Sequence, residues 1–183
     1  CLDAGASTGG FTDVLLRRGA SCVLAVDVGY GQLHNKLRQD SRVVVMERCN
    51  ARHLKSGDLP EPLDLVVIDA SFIGLEKLLP AAHELLAPDG QVLALVKPQF
   101  QVGQDHVGKG GVVRDPERRR EAIDYTVAAA ARLGFACLGR GDSVITGPKG
   151  NQETFIRLRK AAAPAPVDGE TAPSDGSPGR GGT

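Results

Sequence analysis

The 183-residue sequence has no long apolar run and no charged-then-apolar stretch at its start. It therefore offers neither a membrane-spanning segment nor a secretory signal. It has no net charge: 22 Lys and Arg balance 22 Asp and Glu, which weighs against a surface given over wholly to nucleic acid. Its four cysteines (Cys1, Cys22, Cys49 and Cys137) include no Cys-x-x-Cys pair, and its four histidines (His34, His53, His83 and His106) have no i,i+4 spacing. No metal site is expected from them. Cys1, Cys22 and Cys137 lie in apolar, strand-like surroundings and are expected to be reduced, buried thiols of a cytoplasmic protein. The sequence also lacks an initiator Met and starts inside an apolar strand, so a fragment with residues upstream of Cys1 is expected.

What is present is an alternation. SCVLAVD (21–27), RVVVME (42–47), LDLVVID (63–69) and QVLALVK (91–97) are short continuous runs rich in Val and Leu, as in strands buried on both faces of a parallel sheet. Helical patterns separate them. Gly10 to Arg18 stops at Gly19, Gln32 to Gln39 forms a second, and Leu75 to Ala87 a third whose main part starts at Pro80. Asp115-Pro116-Glu117 opens a fourth through Leu133, with Asp as the cap and Pro in the first turn. Then 136–146 and 153–159 follow one another across GPKGN with no helix between them, which predicts an antiparallel pair at one sheet edge. The pattern predicts an α/β domain over residues 1–160: a doubly wound, Rossmann-like, mostly parallel sheet ending in an antiparallel hairpin. Residues 161–183 have the composition of a disordered tail.

Residues 3–11 read DAGASTGGF, and Gly5-Ala6-Ser7-Thr8-Gly9 fits the Gly-x-Ser-x-Gly pattern of a hydrolase nucleophile. Such a serine needs an acid and then a late histidine downstream. The last histidine is His106, and the final two strands supply none. A cofactor turn accounts for more. Asp3 ends a strand, Gly5, Gly9 and Gly10 permit a tight turn, and a helix N-terminus follows. Asp27 ends the next strand, where a carboxylate can accept from both hydroxyls of a ribose. The dinucleotide fingerprint Gly-x-Gly-x-x-Gly is not met, since Ser7 stands at its third position. Asp3 would also face a pyrophosphate with like charge, whereas S-adenosylmethionine carries a sulfonium, an ammonium and no phosphate. That cofactor is favoured over a dinucleotide, with a simple turn cap at Asp3 as the plainer account.

Ligands of open α/β sheets bind beyond the carboxyl ends of the strands. Three polar residues are expected there: Asp69 after LDLVVI, Lys97 after QVLALV and before Pro98, and Glu153 opening the last strand. Singly, each has a plain structural role, as loop cap, snorkelling cation or edge charge. Together they suit acid–base chemistry, because a Lys closing an apolar run is costly without partners and two carboxylates supply them.

LDAGASTGGFTD, VVIDASFI, LALVKPQF, VGKGGVVRD and GPKGNQE together resemble the FtsJ-type ribose methyltransferases, and more narrowly their TlyA, or hemolysin-A-like, group. The resemblance implies a class I methyltransferase fold and S-adenosylmethionine-dependent methylation of ribose 2′-hydroxyls in ribosomal RNA, with ribosomal subunits as partners. It implies catalysis by a Lys–Asp–Lys–Glu tetrad, of which Asp69, Lys97 and Glu153 match the last three members. The first Lys, and a small S4 RNA-binding domain, would lie upstream of Cys1. With the glycine turn it implies a cofactor set of Asp3, Gly5, Ala6, Ser7, Thr8, Gly9, Gly10, Phe11, Asp27 and Asp69, with Asn50 and Ala51 at the adenine. No residue supports the hemolysis for which some members are named. Lys109, Arg114, Arg118, Arg119 and Arg120 form a basic edge that can take RNA phosphates, or simply a solvated helix face. Residues 99–114 are expected as a lid over the substrate, and Phe72 and Phe100 as packed rings able to stack on a base. A cofactor-binding fold kept as a non-catalytic RNA- or membrane-associated module is the alternative.

Overall fold

The computed structural model describes residues 1–101, 110–147 and 149–161. The elements follow as β1 (Leu2–Ala4), α1 (Gly10–Arg17), β2 (Val23–Asp27), α2 (Asn35–Arg38), β3 (Val43–Glu47), β4 (Leu63–Ile68), α3 (Leu79–Leu85), β5 (Leu86–Val96), α4 (Pro116–Arg132), β6 (Phe135–Asp142) and β7 (Thr154–Lys160). They form one seven-stranded sheet in the order β3-β2-β1-β4-β5-β7-β6. The first five strands are parallel, and β7 runs antiparallel to both β5 and β6. The doubly wound sheet with its antiparallel hairpin is the expected one. Its order reverses between β1 and β4, where such sheets bind ligands.

The continuous apolar runs are explained by burial on two faces. Along β4, Val66 and Ile68 join Leu75, Leu79, Leu85, Ile123 and Phe135 on the face covered by α3 and α4. Val67 between them packs with Leu15, Leu16 and Val23 under α1. Val23, Val26, Val92, Val96, Ile156 and Leu158 are fully buried, and each such side chain contributes about 1.5–3 kcal/mol of transfer free energy.

Several boundaries differ from the expected ones, among them that of β6, which ends at Asp142 instead of reaching residue 146. The second helix is a single turn, Asn35–Arg38, because Gly29 and Gly31 open a loop and the His34 ring accepts from the Lys36 N–H as its cap. The third helix ends at Leu85 instead of Ala87, since the approach to Pro88 forces the backbone out of helical geometry and Leu86 is already extended. Strand β5 therefore starts early, and residues 87–90 form an irregularity within it: Leu63 pairs with Leu86 but Leu65 with Gln91. The cysteines are free, yet Cys22 and Cys137 are exposed, one just before β2 and one on the outermost strand. Apolar neighbours in sequence did not place them inside.

Where α3 gives way to β5, the Lys160 ammonium donates to the His83 and Leu86 carbonyls at 2.8 and 2.9 Å. It thus ties the end of β7 to a helix terminus whose carbonyls lack helical partners. Lys160→Met keeps the stem and removes both bonds. A loss of about 1.5–3 kcal/mol is expected, read as a lower denaturant midpoint at unchanged slope.

Candidate active site

The turn after β1 is built by close approach. Gly5 has φ +88°, and a Cβ there would lie 2.5 Å from the Asp69 carbonyl oxygen, so any side chain would force β1 and β4 apart. The Gly5 and Ala6 N–H groups donate to the Val26 carbonyl at 2.9 and 3.1 Å. The Ser7 N–H donates to Asp27 Oδ2 at 2.8 Å, and the Gly29 N–H to Asp27 Oδ1 at 2.7 Å. The Asp27 carboxylate is thus aimed by the loops that flank it and keeps acceptor capacity on each oxygen. The Ser7 hydroxyl meets Gln32 Oε1 at 3.4 Å, an amide that is no base. The nucleophile reading of Ser7 has no chemical partner there.

A cavity of about 740 Å³ opens over the ends of β1, β2 and β4. From the expected cofactor set, Gly5, Ser7, Asp27, Asn50, Ala51 and Asp69 line it. The others lie around or beneath it. Asp3 is wholly buried, with Oδ2 accepting from the Thr12 hydroxyl at 2.7 Å and Oδ1 without a partner; burial pushes its carboxyl above the usual range. Ala6 packs on Ala25 and Leu33, and the Thr8 carbonyl accepts from the His34 N–H. Gly9 backs onto Leu33 and Leu37, Gly10 starts α1, and Phe11 meets Phe155 edge-on at 6.2 Å between centroids. The cavity suits the cofactor that the fold family implies. Its volume is that of a small-molecule site, and Asp27 and Asp69 favour a cationic ligand with a ribose diol over a pyrophosphate.

Lys97, Asp69 and Glu153 converge as expected. Asp69 follows β4, Lys97 follows β5 where Pro98 starts a new turn, and Glu153 immediately precedes β7. The Lys97 ammonium lies 2.8 Å from Asp69 Oδ1 and 4.0 Å from Glu153 Oε1, and donates to the Ser71 hydroxyl at 3.2 Å. Neither carboxylate contact is a hydrogen bond: the one to Asp69 lacks the angle and the one to Glu153 is too long. They hold as ion pairs because Coulomb attraction depends on separation and local dielectric. Glu153 is only 6% exposed. Burial pushes its carboxyl above the ordinary value; Lys97 opposes this and Asp69 adds to it.

The sequence of residues 1–160 matches the family described as FtsJ-like methyltransferase. The chain belongs to that family. It is 52% identical over 159 residues to the "16S/23S rRNA (cytidine-2'-O)-methyltransferase TlyA" of Mycobacterium tuberculosis, covering 87% of this chain and 59% of the relative. This chain thus spans about three fifths of that relative's length. A hemolysin-named protein from Streptococcus thermophilus superposes with a TM-score of 0.85 at 46% identity, over 89% of this chain and 59% of that one. A SAM-dependent methyltransferase from Methanosarcina mazei, at 14% identity and a TM-score of 0.62 over 88% and 92% of the two chains, shares the fold alone. The sheet is therefore a class I methyltransferase sheet.

Around this FtsJ-like centre, several residues stand where sequence reasoning did not put them. Ser71 holds Lys97, and Gln32 and Arg52 line the cavity; only their nearness to Asp69, Asp27 and Asn50 hinted at this. Phe72 overturns the expectation of packing. It has φ +66°, is 91% exposed at the cavity wall, and its ring centroid is 5.3 Å from that of Phe100. The basic edge is largely neutralised within the protein: Arg118 pairs with Glu121 at 2.8 Å, Arg119 with Asp142 at 3.7 Å, and Arg120 with Glu117. Arg114 is exposed and has no carboxylate partner among the described residues. Lys109 and half of the expected lid, residues 102–109, lie outside the described residues.

The raised pKa of Glu153 has a measurable sign. An acid whose folded pKa exceeds its unfolded one contributes its stability below the unfolded value, about 4.3, and loses it as pH rises through the folded value. Glu153→Gln removes that penalty. The thermal midpoint should rise by about 2–4 °C near neutral pH for each kcal/mol relieved, and the gain should vanish near about pH 4. A fall at neutral pH would mean that the pairing with Lys97 outweighs burial.

Proposed function

We propose that this chain is the catalytic portion of an enzyme that transfers a methyl group from S-adenosylmethionine to a ribose 2′-hydroxyl of ribosomal RNA. The observation that carries the reading is the Lys97 ammonium, held by Asp69, Ser71 and Glu153, with Asp69 and Ser71 themselves in the cavity wall. A binding module has no use for a cation fixed between two carboxylates at that place. The name carried by the mycobacterial relative supports the substrate, and the two fifths of that relative outside the match leave room for a first Lys of the tetrad and for an S4-like RNA-binding domain. Ribosomal substrate places the protein in the cytoplasm; among the described residues no helix is long and apolar enough to cross a membrane.

When bound, the cofactor supplies an electrophilic methyl group. Asp27 would hold its ribose, Asn50 and Ala51 its base, and the Gly5–Ser7 turn and Asp69 its amino-acid end. Lys97 positions the 2′-oxygen and stabilises the negative charge that develops there as the hydroxyl proton passes to solvent. Asp69 and Ser71 aim the ammonium, and buried Glu153 lowers the cost of keeping a cation at the end of an apolar strand. Phe72 offers an exposed face for the target base, the commonest way to hold a splayed-out nucleotide, and Arg114 a cation for a neighbouring phosphate.

Calorimetry on this chain and on one extended upstream is the first test. S-adenosylmethionine should bind; Asp27→Ala should weaken binding about tenfold or more, while Ser7→Ala should leave it near the original. Absence of binding by both chains would overturn the reading. Lys97→Ala should retain cofactor binding and lose methyl transfer to ribosomal RNA by roughly a thousandfold. Phe72→Ala should act mainly through the KM for RNA, with a loss of roughly 1–3 kcal/mol.

A further inference from the structure

The proposed reaction leaves one buried amide without a role. Asn151 is 1% exposed and stands two residues before Glu153. Its whole carboxamide is committed to another segment: Oδ1 accepts from the Val113 N–H at 2.9 Å, and Nδ2 donates to the Gly111 carbonyl at 2.8 Å. Its backbone carbonyl accepts from the Gly147 N–H at 2.9 Å, and the Gly150 N–H closes the turn on the Gly147 carbonyl at 2.8 Å. That turn lies against the carboxylate, since a Cβ on Gly147 would come within 2.6 Å of Glu153 Oε1. The Glu153 carbonyl is held in turn by the Ser143 N–H at 2.8 Å.

Of the neutral side chains of this size, only a carboxamide presents both the donor and the acceptor that the Gly111 carbonyl and the Val113 N–H require. Both halves of the amide are satisfied, so its burial carries little penalty, whereas loss of either partner would leave an orphaned polar group. Glu153 itself has an Oε1 without a hydrogen-bond partner. Besides Lys97 and the Gln99 side chain, the backbone packed around it sets its position.

We propose that Asn151 is a positioning residue for methyl transfer: its grip on Gly111 and Val113 keeps Gly147 seated against Glu153 and so fixes that carboxylate beside Lys97. The inference rests on the reading that Lys97, Asp69 and Glu153 carry out the transfer.

The test uses the full protein and four forms: wild type, Asn151→Ala, Glu153→Gln and the double variant. Single-turnover methylation of ribosomal RNA, S-adenosylmethionine affinity, thermal midpoint and hydrogen exchange at the Val113 amide are measured on each. Asn151→Ala should expose the Val113 amide to exchange and lower the transfer rate roughly 10- to 100-fold, with cofactor affinity changed by less than about twofold. In the Glu153→Gln background the same substitution should lose most of its effect, because the two act as a unit. An equal loss in both backgrounds would overturn the proposal, as would an unchanged rate with an exchanging amide, or cofactor affinity falling in step with the thermal midpoint. If Asn151→Ala does not fold, Gly147→Ala serves instead, since its added methyl displaces the Glu153 carboxylate directly and should reproduce the fall in rate. Cofactor binding by wild type without any transfer would remove the underlying reading, and this inference with it.

Discussion

The antiparallel pairing of β7 with β5 is the constraint on which the candidate site depends. Val96 is registered with Thr154, so the next residue of one strand and the preceding residue of the other, Lys97 and Glu153, are brought together at the end of the sheet. A parallel β7 would deliver its carboxyl end there and carry Glu153 to the opposite edge. The reversal of one strand thus supplies a buried carboxylate to a cation that an apolar strand could not otherwise carry at low cost. The pairing is held by fully buried Ile156 and Leu158 in the core.

The rest of the site follows from where the strand order turns back. β1 is flanked by β2 and β4, and the chains leaving them diverge to either side and leave the cavity between Asp27 and Asp69. The contact of Gly5 with the Asp69 carbonyl keeps these walls at a set distance. The cavity and the Lys97 cluster are consequently neighbours: Asp69 belongs to the wall of one and to the contacts of the other. Asn151, bonded to residues far from it in the chain, extends the same logic one layer outward.

Much of this was legible residue by residue. Val- and Leu-rich runs predict strands buried on two faces, and β2, β3, β4 and the body of β5 lie where those runs place them. Asp69, Lys97 and Glu153 were recognisable as polar residues at apolar strand ends, which burial penalties make conspicuous. Local patterns were less informative where tertiary contacts compete. Leu86 leaves the helix because of Pro88 and is recruited into pairing with Leu63. Phe72, an apolar residue that a sequence reading puts inside, is held outside by a left-handed backbone after Asp69. The arginines at the start of α4 read as a cationic face, but carboxylates one turn away and on β6 neutralise three of them.

The sequence by itself determined the alternation of strands and helices, the glycine turn and the types of residue available for chemistry, because periodicity, turn geometry and the cost of burying charge are local properties. The tertiary structure alone decided which of these residues meet. It put β7 between β5 and β6, set Lys97 among Asp69, Ser71 and Glu153, took Asp3 out of the cavity and left Phe72 exposed at its wall. Those outcomes depend on strand order and register, which arise from the packing of the whole sheet and leave no mark on any single segment.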